Sequence, residues 1–357
     1  MENINYQLLD QERKTEIPEK LLFGRTFTDH VFEMDYDSAL GGWHNPTIKN
    51  FSNLSISPAS MILHYGQGIF EGLKAYQQLD GRIGLFRPEE NMKRLNRSAR
   101  RMCIPEVDEE FVLKALKELI DVDKAWIPTQ PGHALYIRPF VFANDPFLGV
   151  RPSDTYKLMI LLSPVGPYYP EGFKPVPIMA QDKYVRAVRK GVGDCKTVGN
   201  YGASLAAQRE AREEGYTQVL WLDAIEQKYI EEVGTMNIFV HFDDEVATPR
   251  LSGSILPGVT RKSVLQILKD WDYNINERDI EIKEVIDRYK DGSLKEVFGA
   301  GTAAVISSIG KLKYKDDILN FNPAEAGELG TKLYNEITGI QSGRIEDRYN
   351  WMTYLDE

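Results

Sequence analysis

Only two cysteines, Cys103 and Cys195, occur in 357 residues, and they lie far apart in the chain. That leaves neither a disulfide framework nor a CxxC site, and it fits a reducing cytoplasm. The five histidines are His30, His44, His64, His133 and His241. No two of them lie close together in sequence, so no local metal-ligand pair exists and no metal is expected. No run approaches the roughly 18 consecutive apolar residues that a membrane span requires. The opening MENINYQLLDQERK has no apolar core, so a signal peptide is not expected. Positive charge is in deficit: 43 Lys and Arg against 53 Asp and Glu give a net charge of −10. A nucleic-acid binder needs a basic footprint, so nucleic acid is not the expected partner. The one basic cluster, Lys93, Arg94, Arg97, Arg100 and Arg101, reads as a single helix face.

What remains is an ordinary globular composition, 42% hydrophobic and 27% charged. At roughly 150 residues per domain the length suggests two domains. The strongest boundary is the segment Ser163 to Pro177, with five prolines and two glycines. The expected division is a small α+β domain over 1–164, a linker over 165–177 and a large domain over 178–357. In the first part AYQQL and RIGLF flank Asp80-Gly81, a strong hairpin signal. A helix should follow, with Pro88 near its first position, acidic Glu89 and Glu90 in its first turn, and Met92, Leu95, Ala99 and Met102 as its buried stripe. Asp108 should cap a second helix whose apolar face is Phe111, Val112, Ala115, Leu116 and Leu119. HALYIRPFVF and TYKLMILLS read as strands. After the linker VPIMA and QVLWLD read as strands, and KYIEEVGTMNIFVHF as one longer β stretch. Helices are expected over 203–214, 260–271 and 323–338, and EVFGAGTAAVISSI as strand, turn, strand. The fold class is therefore mixed, α+β and α/β in two domains.

Four segments could carry chemistry. Gly191 to Gly202 holds four glycines and two charged residues, Asp194 and Lys196. Desolvation favours the neutral amine of a lysine, the form that attacks a carbonyl. On residue type alone a solvated surface lysine is the default reading. Leu256-Pro-Gly-Val-Thr260 precedes a helix, and unpaired N–H groups at a helix start suit a phosphate, although an ordinary capped helix has the same look. Gly299-x-Gly301-x-x-Ala304 matches the spacing of a dinucleotide fingerprint, but a β-branched strand follows where that fingerprint needs a helix. It reads instead as a tight turn whose N–H groups, with Thr302, can take an anion. Glu231-Glu232 sits in a strand-like stretch. A carboxylate there could keep a pyridine nitrogen protonated, whereas a solvated strand face suits Glu231. An amine, two anion cradles and a carboxylate are the parts needed to hold pyridoxal phosphate.

The motifs FGRTFTDH, LHYGQGIFEGLKAY, LFRPEENMKRL, LYIRP, GVGDCKTVGNYG, QVLWLD, EVGTMNIFV, LPGVTR and GAGTAAV occur in this order. In that ordered set the chain resembles the branched-chain aminotransferases of the fold-type IV pyridoxal-phosphate enzymes, from about Phe23 to the C-terminus. The resemblance implies that Lys196 is the Schiff-base lysine and proton shuttle. It implies that Tyr201 bonds the cofactor's phenolic oxygen and Glu232 pairs with its ring nitrogen. Arg94, Val259, Thr260 and Thr302 would hold the phosphate. The Thr302-Ala303 turn would receive the substrate carboxylate. Phe23, Tyr65, Phe70, Tyr136, Tyr168 and Thr235 would line the side-chain pocket, with Arg138 at its edge. Val150 would reach the partner subunit's site, which implies a homodimer. Some animal members carry a redox CxxC after the GTA turn. Here those places are Ala304 and Ser307, so thiol regulation there is not expected. The implied reaction moves the amino group of leucine, isoleucine or valine to 2-oxoglutarate. The alternatives are another fold-type IV enzyme, a D-amino-acid aminotransferase or aminodeoxychorismate lyase, and a non-catalytic cofactor-binding regulatory dimer.

Overall fold

The structure is a computed structural model that describes residues 3–10, 15–167, 173–321 and 324–356. It divides into two compact units: Met1–Tyr168 with Cys195–Val198 and Gly339–Glu357, and Tyr169–Asp194 with Gly199–Thr338.

The first unit is built on a nine-stranded sheet. From one edge its path runs Asn5–Gln7, Gly42–Asn50, His30–Asp37, Thr155–Val165, Ala134–Ala143, Leu73–Gln77, Ile83–Phe86 and Met352–Tyr354, and Gly68–Phe70 also pairs with Ala134–Ala143. Leu73–Gln77 and Ile83–Phe86 form the expected hairpin, with Gly81 at φ 88 in its turn. Helices Pro88–Arg101 and Glu109–Val122 bury the expected stripes, Met92, Leu95 and Ala99 from one and Val112, Ala115, Leu116 and Leu119 from the other, in one apolar core with the sheet. The Asp108 carboxylate accepts the Phe111 N–H at 3.0 Å, as an N-cap should. The basic cluster shares one side of the helix Pro88–Arg101 but not one environment. Lys93, Arg100 and Arg101 are exposed, while Arg94 is buried. At about 100° per residue the five positions fall within an arc of about 120°, with Arg94 about 20° from Arg101, so packing against the rest of the unit and not the helical face sets their different burial.

The second unit carries the other nine-stranded sheet. Its path is Ile230–Val233, Gln218–Leu222, Val176–Gln181, Val305–Tyr314, Leu294–Gly301, Met236–Phe242, Val246–Pro249 and Ile275–Arg278. Ile230–Val233 also pairs with Met236–Phe242, so the sheet closes on itself. The stretch expected as one strand is thus a hairpin, turned at Gly234-Thr235 with Gly234 at φ 58. The positive φ favours glycine at that position, where a side chain would also press on the end of Gln218. Closure buries both faces of Ile230–Val233. Glu231 is therefore buried beside Glu232, and the solvated face expected for it does not exist. Thr302 to Ala304 form the expected turn between antiparallel Leu294–Gly301 and Val305–Tyr314. Helices Leu205–Glu213 and Val259–Asp270 fall within a few residues of the expected positions, and the end of the glycine-rich segment, expected as loop, is the short helix Val198–Gly202. The last helix is Glu328–Gln341, and its expected start at Pro323 lies outside the described residues.

Candidate active site

In the first unit, Lys196 is half-buried and strapped to the strand Gly68–Phe70. Its carbonyl accepts the Phe70 N–H at 3.0 Å, its N–H donates to Ser98 Oγ at 3.0 Å, and the Thr197 hydroxyl donates to the Gly68 carbonyl at 2.8 Å. A bound backbone leaves the side chain as the mobile part, and Lys196 Nζ lies 4.9 Å from the centre of the Phe70 ring. The same ring receives the Arg138 guanidinium at 4.7 Å. Arg138 also donates to the Tyr136 hydroxyl at 2.9 Å, and Tyr136 meets Phe23 edge-on with ring centres 4.9 Å apart. Strand alternation explains the grouping: Tyr136, Arg138 and Phe140 share one face of Ala134–Ala143, while Leu135, Ile137 and Val141 enter the core. A side chain at Gly72 would run into the Tyr136 hydroxyl, so the glycine keeps that tyrosine in place. Arg138 Nε is buried and meets no acceptor among the described residues, which suits an incoming anion.

Glu71, fully buried, is the residue that sequence reasoning passed over. Arg94 reaches it through Nε and Nη2 at 2.7 and 2.8 Å, and the Asn91 amide donates at 2.8 Å. Burial alone would push the Glu71 carboxyl up. The Arg94 charge and hydrogen bonds, then the Lys196 charge and Asn91, outweigh it and hold Glu71 below the usual carboxylate range. Arg94 therefore acts as an oriented donor whose charge is already neutralised. The signal was present: an acid inside FEGLK, between strands, needs a cation when it is buried. Tyr65, half exposed, donates to the Leu148 carbonyl, and Val150 stands in that same loop. Tyr168 lies outside the described residues.

In the second unit, Glu232 is buried, and its Oε1 accepts the Leu256 N–H at 2.7 Å. Arg186 Nε stands 3.2 Å from its Oε2, yet Nε has no aligned hydrogen-bond acceptor. The distance makes this an ion pair, and the misaligned N–H means it is not a directed bond. Glu231 accepts a hydrogen bond from the Ser254 hydroxyl. Burial pushes its carboxyl above the usual range, and Ser254 and Arg186 only partly offset that.

Asn237, two residues past the turn, organises the rest. Its amide donates to the Leu256 carbonyl at 2.9 Å, and a side chain at Gly258 would collide with it. Gly258 starts the helix Val259–Asp270 without any side-chain cap, so the N–H groups beyond it, with the buried Thr260, have no side-chain acceptor at the cap position. Asn237 also faces Ala300 across the ladder, which places the Thr302–Ala304 turn at the end of the adjoining strand. Val305 closes that turn at φ 63, a conformation that a β-branched side chain adopts only under strain from its surroundings. Thr302 and Ala303 are half-buried there, Thr235 is exposed in the 234–235 turn, and Tyr201 is half-buried on Val198–Gly202. The first unit offers a held lysine and a buried arginine, and the second a buried carboxylate paired with an arginine and an uncapped helix start; these are the donor types that pyridoxal phosphate needs.

The description "Amino-transferase class IV" matches residues 68–312. A Bacillus subtilis protein named branched-chain-amino-acid aminotransferase 2 is 54% identical over 352 residues, 99% of this chain and 97% of that protein. A branched-chain-amino-acid aminotransferase of Mycolicibacterium smegmatis is 45% identical over 339 residues, 94% of this chain and 92% of that one. The crystal structure of the Escherichia coli branched-chain amino acid aminotransferase superposes with a TM-score of 0.77 at 25% identity, covering 92% of this chain and 99% of that chain. The crystal structure of the branched-chain aminotransferase from the archaeon Thermoproteus uzoniensis, with norvaline, does so with a TM-score of 0.76 at 25% identity, covering 91% and 99%. A class IV match over more than half the chain, with relatives this similar along nearly its whole length, means that the chain belongs to the class IV aminotransferases, among the branched-chain-amino-acid enzymes.

Proposed function

We propose that the protein is a branched-chain amino-acid transaminase that uses pyridoxal 5′-phosphate and passes the amino group of L-leucine, L-isoleucine or L-valine to 2-oxoglutarate in a ping-pong cycle. The observation that carries the reading is Lys196, its backbone fixed at both N–H and C=O and its amine set over the Phe70 ring. Bound cofactor supplies an aldehyde that accepts the amino group and a pyridinium ring that takes up negative charge. Lys196 Nζ would hold the cofactor and would serve as the base and acid that moves the substrate Cα proton. Tyr201 bonds the phenolic oxygen, and Glu232 keeps the ring nitrogen protonated. Arg94, Val259, Thr260 and Thr302 hold the phosphate, and Thr302 and Ala303 receive the substrate carboxylate. Phe23, Tyr65, Phe70, Tyr136 and Thr235 would surround the substrate side chain, with Arg138 at the edge for the glutamate γ-carboxylate.

The working form is a homodimer in which Val150 enters the partner subunit's site. The exposed apolar loop supports this: Leu148 is 66% and Val150 86% exposed in the single chain. No helix among the described residues is long and apolar enough to cross a membrane. Two cysteines without a disulfide framework suit the cytoplasm.

The test is a spectrum and a panel. Protein loaded with pyridoxal phosphate should be yellow, L-leucine should bleach the band, and 2-oxoglutarate should restore it. Lys196→Ala should lose turnover by several orders of magnitude. Turnover of D-amino acids in place of L-leucine would make this a different class IV enzyme. Cofactor binding with no turnover of any amino acid would make it a regulatory protein.

A further inference from the structure

We infer that Arg186 is a positioning residue: one guanidinium ties the Glu232 carboxylate to two backbone carbonyls and so fixes where that carboxylate stands. The inference rests on the reading that Glu232 faces the cofactor's ring nitrogen. Arg186 is buried at the side chain, on the segment that leaves the strand Val176–Gln181. Its Nη2 donates to the Gly193 carbonyl at 3.0 Å and to the Ser254 carbonyl. Its Nε lies 3.2 Å from Glu232 Oε2. Gly193 is three residues ahead of Lys196 in the chain, and Ser254 is two residues ahead of Leu256, whose N–H holds the other Glu232 oxygen at 2.7 Å. The two loops are pressed together, since a side chain at Gly193 would collide with the Ser254 carbonyl and with Ala187.

Geometry separates the two things the arginine does. Its directed N–H bonds go to the carbonyls, which sets the backbone. Its charge goes to Glu232 without an aligned Nε–H. The carboxylate thereby faces a positive charge without the in-line N–H that would compete with a ring N–H. A lysine cannot do both, because a point charge on a flexible stem lacks the planar fork. Glu231 sharpens the need. Two adjacent buried carboxyl groups share one guanidinium, and Glu231 has Ser254 while Glu232 has the arginine and Leu256.

A double-mutant cycle on the holoenzyme tests this, with Arg186→Gln, Glu232→Gln and the pair. The readouts are kcat and KM for L-leucine and the pH titration of the bound cofactor's visible absorbance. Arg186→Gln should lower kcat by roughly 10- to 100-fold with KM for leucine changed by less than about threefold. It should shift the absorbance titration in the same direction as Glu232→Gln does. In the Glu232→Gln background it should cost less than about threefold more, since two residues acting through one carboxylate are not additive. Multiplicative losses, with no shift of the absorbance titration from Arg186→Gln, would overturn the inference and leave the role of Glu232 standing. An unchanged kcat in Glu232→Gln alone would instead sink the reading of Glu232 and the inference with it. If Arg186→Gln does not fold, Arg186→Lys goes through the same cycle, with the same outcomes deciding. Gly193→Ala is the second probe. It keeps the arginine and wedges the two loops apart, and it should reproduce the absorbance shift in part. A wild-type titration there would count against the backbone half of the clamp.

Discussion

At the level of single residues the first unit sets cations against aromatic rings and buried acids. Arg138 is the sharpest case. It lies over Phe70, donates to the Tyr136 hydroxyl, and keeps a buried Nε–H without an acceptor. Leucine offers that side chain nothing, whereas the γ-carboxylate of glutamate offers a charge-assisted pair. Arg138→Met should therefore impair kcat/KM for glutamate and 2-oxoglutarate by at least about tenfold more than for leucine, read from the separate half-reactions. Equal losses would mean that Arg138 only props up Phe70 and Tyr136. Lys74 makes a different prediction. It sits opposite Tyr136 in the ladder, and burial pushes its amine down from 10.5 to about 8. The folded value lies below the unfolded one, so between about pH 8 and 10.5 the unfolded chain binds more protons and the fold gains stability as pH rises. Lys74→Met lacks that slope. Unfolding free energies of the two proteins across that window should diverge by up to about 3 kcal/mol in favour of wild type at the alkaline end, relative to their difference at neutral pH. A constant difference would place the Lys74 amine in solvent.

At the level of elements, local signals and tertiary ones divide the work. Asp108 caps its helix from within the sequence, as its position ahead of an apolar run announces. The helix Glu328–Gln341 is capped from elsewhere. Glu296, on the strand Leu294–Gly301, accepts the N–H groups of Leu329 at 2.8 Å and Gly330 at 3.1 Å. Glu296→Ala leaves those two N–H groups buried without an acceptor and should cost about 2–4 kcal/mol in urea unfolding. Glu296→Gln keeps one acceptor and should cost clearly less. Equal losses in the two variants would rule out the cap. No pattern in the sequence announces this contact, because 33 positions separate Glu296 from Leu329. The same limit hid Arg186 and the partner of Glu71. Each reads as an ordinary charged residue until the fold removes its water and supplies its partner. The hairpin at Gly234 was legible in hindsight, since a Gly-Thr pair between β runs is turn chemistry. An unbroken β pattern on either side masked it.

At the level of the whole molecule, the exposed Leu148 and Val150 call for a partner surface. Val150→Asp puts a charge into the proposed contact. It should shift the dimer towards monomer in sedimentation equilibrium, or raise KM for leucine in a dimer that persists. A stable dimer with unchanged KM would place the interface elsewhere.

The sequence by itself determined the class. The ordered motifs carry the family resemblance, and the hairpin at Asp80-Gly81, the helices Pro88–Arg101 and Glu109–Val122 and the strand-turn-strand around Thr302 follow from local propensity, periodicity and spacing. Those depend on neighbours a few residues away. Only the tertiary structure decided which charged groups are buried and what each one meets. Glu71 with Arg94, Glu232 with Arg186, and Glu231 with Ser254 are separated by 23, 46 and 23 positions. Burial is a property of the closed sheet and the packed helices, and the cost of burying a charge is what forces each of these pairings.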